Sequence, residues 1–277
     1  MTKGVDEVAR LFGAAAPSTQ LNFPAELYPG YPGLVVRNAG EGRVLEQMTW
    51  GFPVRLKSMK PGSKPKPVTN ARDDKLHTPF WNPSFASRRC LIPASAWAEP
   101  EGAARQMTRT WYTRPDCELF AIAGLWRPTP EWGDVFAMVM VDSCAQMTEV
   151  HDRMPVILRP EHWSTWTQAT SEEAFALVQT CDDELEVNRT VELWSKPGMH
   201  SSPAPMLVRL RDLAPCRAVL RVSVVGTHQA PKTAVLWNGN AKDRRSPGFA
   251  KCQIVAKRAG RGVLAVFKHV HAVEHHA

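Results

Sequence analysis

Leu34-Val-Val-Arg37, Asn38-Ala-Gly-Glu-Gly42 and Arg43-Val-Leu-Glu-Gln-Met-Thr-Trp50 are three consecutive pieces of one stretch. The outer pieces carry the β-branched and aromatic residues that suit a pleated strand, and the middle one carries turn formers. This predicts two antiparallel strands joined across residues 38–42. The same reading gives candidate strands at 89–93, 109–113, 118–125 and 135–141, with loops punctuated by Pro and Gly between them. Helices are fewer. Val5, Val8, Ala9 and Phe12 follow the i, i+3, i+4, i+7 spacing of an amphipathic helix over residues 4–13, and Gly13 can stop it. A second helix is expected to open near Pro160-Glu161, and a third after Ser171-Glu-Glu, with Ser171 as its cap and the acids in its first turn. The fold class is α+β with strands dominating.

The chain of 277 residues carries a net charge of +7, which resembles a nucleic-acid footprint until it is divided. Residues 201–277 hold 13 Lys/Arg against three acids, a balance of +10, which leaves 21 basic and 24 acidic residues, or −3, for residues 1–200. Binding of DNA by the first part therefore has to rest on local clustering. After Trp194 the pattern changes, and Ser201-Ser-Pro-Ala-Pro205 reads as a linker. The expected organisation is a folded domain over residues 1–199 and a basic, poorly ordered C-terminal extension over 200–277. Within the extension, Val222 to Val225 offers one more strand, and His269, His271, His275 and His276 form a cluster without metal-ligand spacing. No run of about 18 apolar residues marks a membrane span, and Asp6, Glu7 and Arg10 interrupt the start where a signal peptide needs an apolar stretch. A soluble, cytoplasmic protein is expected. Six cysteines, Cys90, Cys117, Cys144, Cys181, Cys216 and Cys252, are scattered without a CxxC pair, so reduced thiols are expected, with no metal site and no cofactor.

Three stretches combine polar groups with aromatic or Pro/Gly frames: Asn70-Ala-Arg72, Cys90-Leu-Ile-Pro-Ala-Ser-Ala-Trp-Ala-Glu99 and His151-Asp-Arg-Met-Pro155. The last sets an imidazole beside an acid and a guanidinium, either to tune a histidine near neutral pH or to form a structural hydrogen-bond hub. Glu99 closes an apolar run, so its carboxyl is either partly desolvated with a raised pKa or a surface group after a strand. Asn70 and Arg72 read as site residues or as turn residues, with Arg72 pairing Asp73 or Asp74. From Gln47 to Arg72 six basic residues (Arg55, Lys57, Lys60, Lys64, Lys66, Arg72) occur with no acid, interleaved with Pro61, Pro65 and Pro67. Such a stiffened basic loop makes either a groove wall for a nucleic-acid strand or a solvated surface. Trp50, Phe52 and Trp97 are candidates to stack on a base or to fill the core.

In order and spacing, Trp50-Gly51-Phe52, Asn70-Ala71-Arg72, Arg89-Cys90-Leu91-Ile92-Pro93 through Glu99, Ala123-Gly124-Leu125-Trp126 and His151-Asp152-Arg153-Met154-Pro155 resemble the SRAP family, over about residues 1 to 196. Ser95-Ala96 stands where the family has Asp-Gly, and Pro100 where a tryptophan follows the glutamate. The resemblance implies a strand-dominated domain with a barrel-like core and flanking helices. It implies recognition of abasic sites in single-stranded DNA, with peptidase and lyase-like chemistry. Asn70, Glu99 and His151 are then the catalytic residues, and Arg72, Trp50, Lys57, Lys60, Lys64, Lys66 and Arg153 the DNA-binding ones. The expected partner is abasic single-stranded DNA, bound by a monomer that joins the nucleoid through it, without membrane or metal. Family members begin Met-Cys and use the exposed terminal cysteine, amine and thiol together, to close a thiazolidine on the opened sugar. Here Thr2-Lys3-Gly4, which family members carry behind a Met-Cys-Asn-Leu-Tyr-Ser-like segment, begins directly after Met1. Two expectations follow: a start placed a few codons late, or loss of the nucleophile, leaving a noncovalent DNA binder. A peptidase acting on other proteins is a further alternative.

Overall fold

The computed structural model describes residues 2–19, 21, 24–60, 62–194, 206–209, 253–259 and 262–268. Helix α1 (Thr2–Leu11) leads into short strands β1 (Ala14–Ala15) and β2 (Glu26–Leu27), the hairpin β3 (Pro32–Ala39) and β4 (Gly42–Trp50), and a small ladder of β5 (Phe52–Val54) with β6 (Lys66–Val68). Next come β7 (Asn70–Arg72), α2 (Asn82–Ser87), β8 (Arg89–Ala94), β9 (Ala96–Glu101), β10 (Thr108–Thr113), β11 (Phe120–Thr129) and β12 (Gly133–Asp142). They are followed by β13 (Arg153–Pro155), β14 (Ile157–Leu158), α3 (Trp163–Gln168), α4 (Ser171–Phe175), β15 (Glu186–Leu193) and β16 (Leu207–Arg209). β17 (Gln253–Ala259) and β18 (Gly262–Lys268) pair antiparallel as a hairpin within a second unit, residues 219–277. Val222 to Val225 and the four terminal histidines lie outside the described residues.

The six strands read from the pattern all form, most of them longer than expected. The first hairpin turns tighter than the sequence suggests. Asn38 and Ala39 pair with Arg43 and Gly42, which leaves Gly40-Glu41 as a two-residue turn, and Gly40 takes the positive φ of 58° that such a turn demands. The third helix is capped by Thr170 instead of Ser171. The Thr170 hydroxyl accepts the Glu173 amide while the Glu173 carboxylate accepts the Thr170 amide, a reciprocal box worth about 1 kcal/mol.

β4, β3, β8, β11 and β12 pair in that order, and β12 returns to β4 through Val135↔Thr49 and Phe136↔Trp50, so the sheet closes on itself. Closure satisfies the ladder bonds that an open edge would leave free. Two glycines of the motifs make it possible. Gly51 has φ +118°, donates to the Phe136 carbonyl at 2.7 Å, and has room for no side chain because a Cβ would meet Pro67 Cβ at 2.5 Å. Gly124 pairs with Cys90, whose Sγ would lie 2.7 Å from an added Cβ.

Every residue from 89 to 99 is buried, because the chain runs from the barrel straight into a second sheet. β8 is a barrel strand. β9, one residue later, is the middle of an antiparallel sheet ordered β15-β10-β9-β16-β2. The crossover is pinned at Ser95, whose amide and hydroxyl both donate to the Arg209 carbonyl at 2.8 Å. Arg89 anchors the other end, donating to the carbonyls of Phe85 and Ala86 in α2 and of Trp166 and Ala169 at the end of α3. A buried guanidinium is satisfied there by the carbonyl ends of two helices.

β16 lies past residue 199, where the sequence reading ends the domain. Met206, Leu207 and Val208 are no more than 2% exposed, and Leu207 and Val208 pair with Ala98 and Trp97. We therefore propose the boundary after Arg209. A chain ending at 199 should unfold at clearly lower urea than one ending at 218, since three side chains buried at about 1.5–3 kcal/mol each are lost. Equal urea midpoints would remove β16 from the stable domain.

Candidate active site

β12 carries two of the motifs on its flanks. Asn70, Ala71 and Arg72 pair parallel with Met138, Val139 and Met140, while Arg153, Met154 and Pro155 pair antiparallel with Asp142, Val141 and Met140. The second motif wedges between β11 and β12: the Val156 amide donates to Val139, the Ala123 amide to Val156, and β14 continues along β11. Arg153 then joins the flanks. Its Nη1 lies 2.6 Å from Asp73 Oδ1, just past β7, and its Nη2 lies 3.3 Å from Asp142 Oδ1.

Glu99 enters from the second sheet. It pairs with Thr110, its side chain shares the face of Trp97, and it is 2% exposed with no hydrogen-bond partner for Oε1 among the described residues. Burial, reinforced by the negative charge of Asp152, raises its pKa well above the ordinary 4.5, so the carboxyl stays protonated. The charge of Asp152, next to His151 in sequence, is felt at Glu99. His151 Nδ1 accepts the Arg153 amide at 3.0 Å and stands 3.5 Å from Asp152 Oδ1, and the ring remains 35% exposed. Asn70 is half-buried and its Oδ1, like Glu99 Oε1, lacks a partner among the described residues. Glu99 thus offers a buried carboxyl that burial favours in its protonated form, and His151 a partly exposed imidazole.

The other expected residues divide by burial. Trp50 is fully buried, donates from Nε1 to Thr69 O at 3.4 Å and lies parallel to Phe136, so no ring face is open to a base, and its assignment to DNA stacking is corrected to a core role. Phe52 and Trp97 are also fully buried. Arg72 pairs with Asp74 at 3.0 Å on the surface, the turn arrangement among the alternatives. Lys57, Lys60, Lys64 and Lys66 are all exposed on the β5–β6 hairpin, and none is in an ion pair among the described residues. Cys90 is no candidate nucleophile, because complete burial pushes its thiol pKa far up. A cavity of about 560 Å³ bordered by Phe12, Arg114, Phe120 and Trp163 contains none of Asn70, Glu99 or His151. Among the described residues no three His, Cys, Asp or Glu could hold a metal ion, and no helix is long and apolar enough to cross a membrane. Sequence reasoning missed Asp152 and Tyr112 as separate candidates. Asp152 at least lies within the His151 motif, whereas Tyr112 is indistinguishable by pattern from any other strand aromatic.

The model of the family described as SOS response associated peptidase (SRAP) matches residues 1–193. The chain belongs to the SRAP family. A SRAP relative from Bacillus subtilis (strain 168), named abasic site processing protein YoqW, is 29% identical over 181 residues, which cover 61% of this chain and 79% of that protein. The abasic site processing protein HMCES of Pongo abelii is 26% identical over 180 residues, covering 51% of each chain. A crystal structure of a Bordetella bronchiseptica protein superposes with a TM-score of 0.56 at 26% identity, over 66% of this chain and 94% of its own.

The buried acid makes a thermodynamic prediction. The folded chain holds the Glu99 proton more tightly than the unfolded chain, so that stability is fully present below about 4.5 and is lost as pH rises toward the raised folded value. Glu99→Gln should remove this loss, leaving the variant as stable as the wild type at pH 4 and more stable at pH 8, by about 1.4 kcal/mol per unit of pKa separation. Denaturant melts across that range check it; parallel curves would show that Glu99 titrates normally.

Proposed function

We propose that this SRAP chain recognises abasic sites in single-stranded DNA and reacts with their ring-opened aldehyde. The observation that carries the reading is Glu99, a carboxyl 2% exposed whose Oε1 has no partner among the described residues, in a setting where burial favours its neutral form. Addition of an amine to an aldehyde needs one group that gives a proton to the carbonyl oxygen and one that takes a proton from the nitrogen. Neutral Glu99 suits the first task and His151 the second. As nitrogen bonds to the aldehyde carbon, the C=O pair moves to oxygen, which takes the Glu99 proton, and the surplus nitrogen proton passes to His151. Departure of the resulting hydroxyl as water, with its proton supplied by the protonated His151, leaves a protonated Schiff base, and release of its N–H proton to the Glu99 carboxylate gives the neutral imine and restores the acid. In the family form a terminal cysteine thiol adds to that C=N bond and closes the thiazolidine.

Asn70 serves to orient the opened sugar through its unpaired Oδ1. Arg72 exchanges Asp74 for a phosphate, and Arg153 braces the site from its ion pairs. The four unpaired lysines supply backbone contacts, each phosphate contributing a slope of about −0.7 in log affinity against log salt, or roughly −3 together.

The test mixes the chain with single strands that do or do not contain an abasic site, with and without borohydride. Trapped adduct is expected on the abasic strand alone, reduced roughly 10²-fold or more in Glu99→Gln. Equal trapping on both strands, or undiminished trapping by Glu99→Gln, would contradict the assignment. Changing the four lysines to alanine should flatten the salt slope by about 3.

A further inference from the structure

Tyr112 faces the same interior as Glu99. Along β9 and β10, Tyr112 lies opposite Trp97 and Thr110 opposite Glu99. Alternation puts all four side chains on one face, with Glu99 and Tyr112 as diagonal neighbours about 7–8 Å apart at the backbone, a separation that long side chains span. The Tyr112 ring is fully buried and stacks on Trp97, centroids 5.4 Å apart. Among the described residues its Oη has no hydrogen-bond partner, and neither has Glu99 Oε1. Phenylalanine would fill the same space without a buried, unmatched hydroxyl, so packing alone does not account for a tyrosine here.

The surrounding groups are committed elsewhere. Arg189 of β15 is bonded to Glu101 and Glu149 at 2.9 Å, and the Thr110 hydroxyl donates to Glu101. Asp152 faces Glu99 as a like charge, and Glu99, Glu101, Cys144 and Arg189 are the groups whose charges reach Tyr112. On this face the Tyr112 hydroxyl and the Trp97 indole N–H are the donors without a partner among the described residues.

We propose that Tyr112 is a positioning residue for Glu99: its phenol O–H comes to donate to the carboxylate that Glu99 becomes on giving up its proton, and lets go when the proton returns. The proposal rests on the reading of Glu99 as proton donor. A bare carboxylate in a dry interior is costly, and a short charge-assisted bond lowers the cost of reaching the state the reaction passes through. Tyr112 stays protonated throughout, since burial and the nearby acids push its own pKa up.

The test needs no DNA. With ¹³C-labelled glutamate and tyrosine, the ring-carbon signal of Tyr112, one of only three tyrosines in the chain, should shift with the same midpoint as the Glu99 carboxyl in the wild-type protein. In Tyr112→Phe the Glu99 midpoint should rise by about one unit or more, as expected for losing a hydrogen bond to the charged form. A Tyr112 signal that ignores the Glu99 titration, or a midpoint that is unchanged or lowered in the variant, overturns the proposal. The wild-type signal decides the matter even if the variant folds poorly. Coupled titration without borohydride-trapped adduct would sink the proposed function and leave the pair standing. Trapping with uncoupled titration would sink the pair alone.

Discussion

A carboxyl group at the end of a strand buried on both faces is what the rest of the structure accommodates. β8 and β9 form one continuous buried run from Arg89 to Glu99, and two sheets share it. Glu99 is 2% exposed on the same face as the buried Trp97, and its desolvation is relieved by favouring the protonated form. A charged residue in that place would unsettle the core; a neutral acid can be held there with a proton ready to give.

Barrel closure supplies the other half of the arrangement. Because β12 pairs with β4 and β7 along one edge and with β11 and β13 along the other, segments distant in sequence end up flanking one strand. The ion pairs of Arg153 with Asp73 and Asp142 fasten them together. The cost of desolvating such pairs limits what they add to stability. Their effect here is positional, since they tie Arg153 of the His151 motif to Asp73 just past β7 and to Asp142 of β12.

Legibility followed composition as much as exposure. β4 interleaves buried and partly exposed residues, and β3 and β12, each buried on both faces over a continuous stretch, carry runs of β-branched and large apolar residues. β9 does not, its buried stretch being Ala96-Trp97-Ala98-Glu99 followed by Pro100. β15 is exposed on nearly its whole length and so has no alternation either, and β7 is three residues long, too short for a period. β16 follows a Pro/Ser stretch that reads as the end of a domain. Of the proposed site, Asn70, Glu99 and His151 were readable as candidates because they sit in motifs. Trp50 belongs to the same motifs, but its place in them is structural: next to Gly51 it closes the barrel. Tyr112 carries no local signal, since its significance depends on register with β9, which only pairing across strands can set.

The central claim is that one interior, reached from the His151 loop and walled by Glu99, receives the opened sugar of an abasic site. A crystal structure of the chain bound to a single strand with one ring-opened abasic site tests this most directly. The account predicts the C1′ oxygen within hydrogen-bond reach of Glu99, the His151 ring on its other side, and the backbone running toward the β5–β6 lysines. A strand seated on another face, with the opened sugar remote from Glu99 and His151, would contradict it.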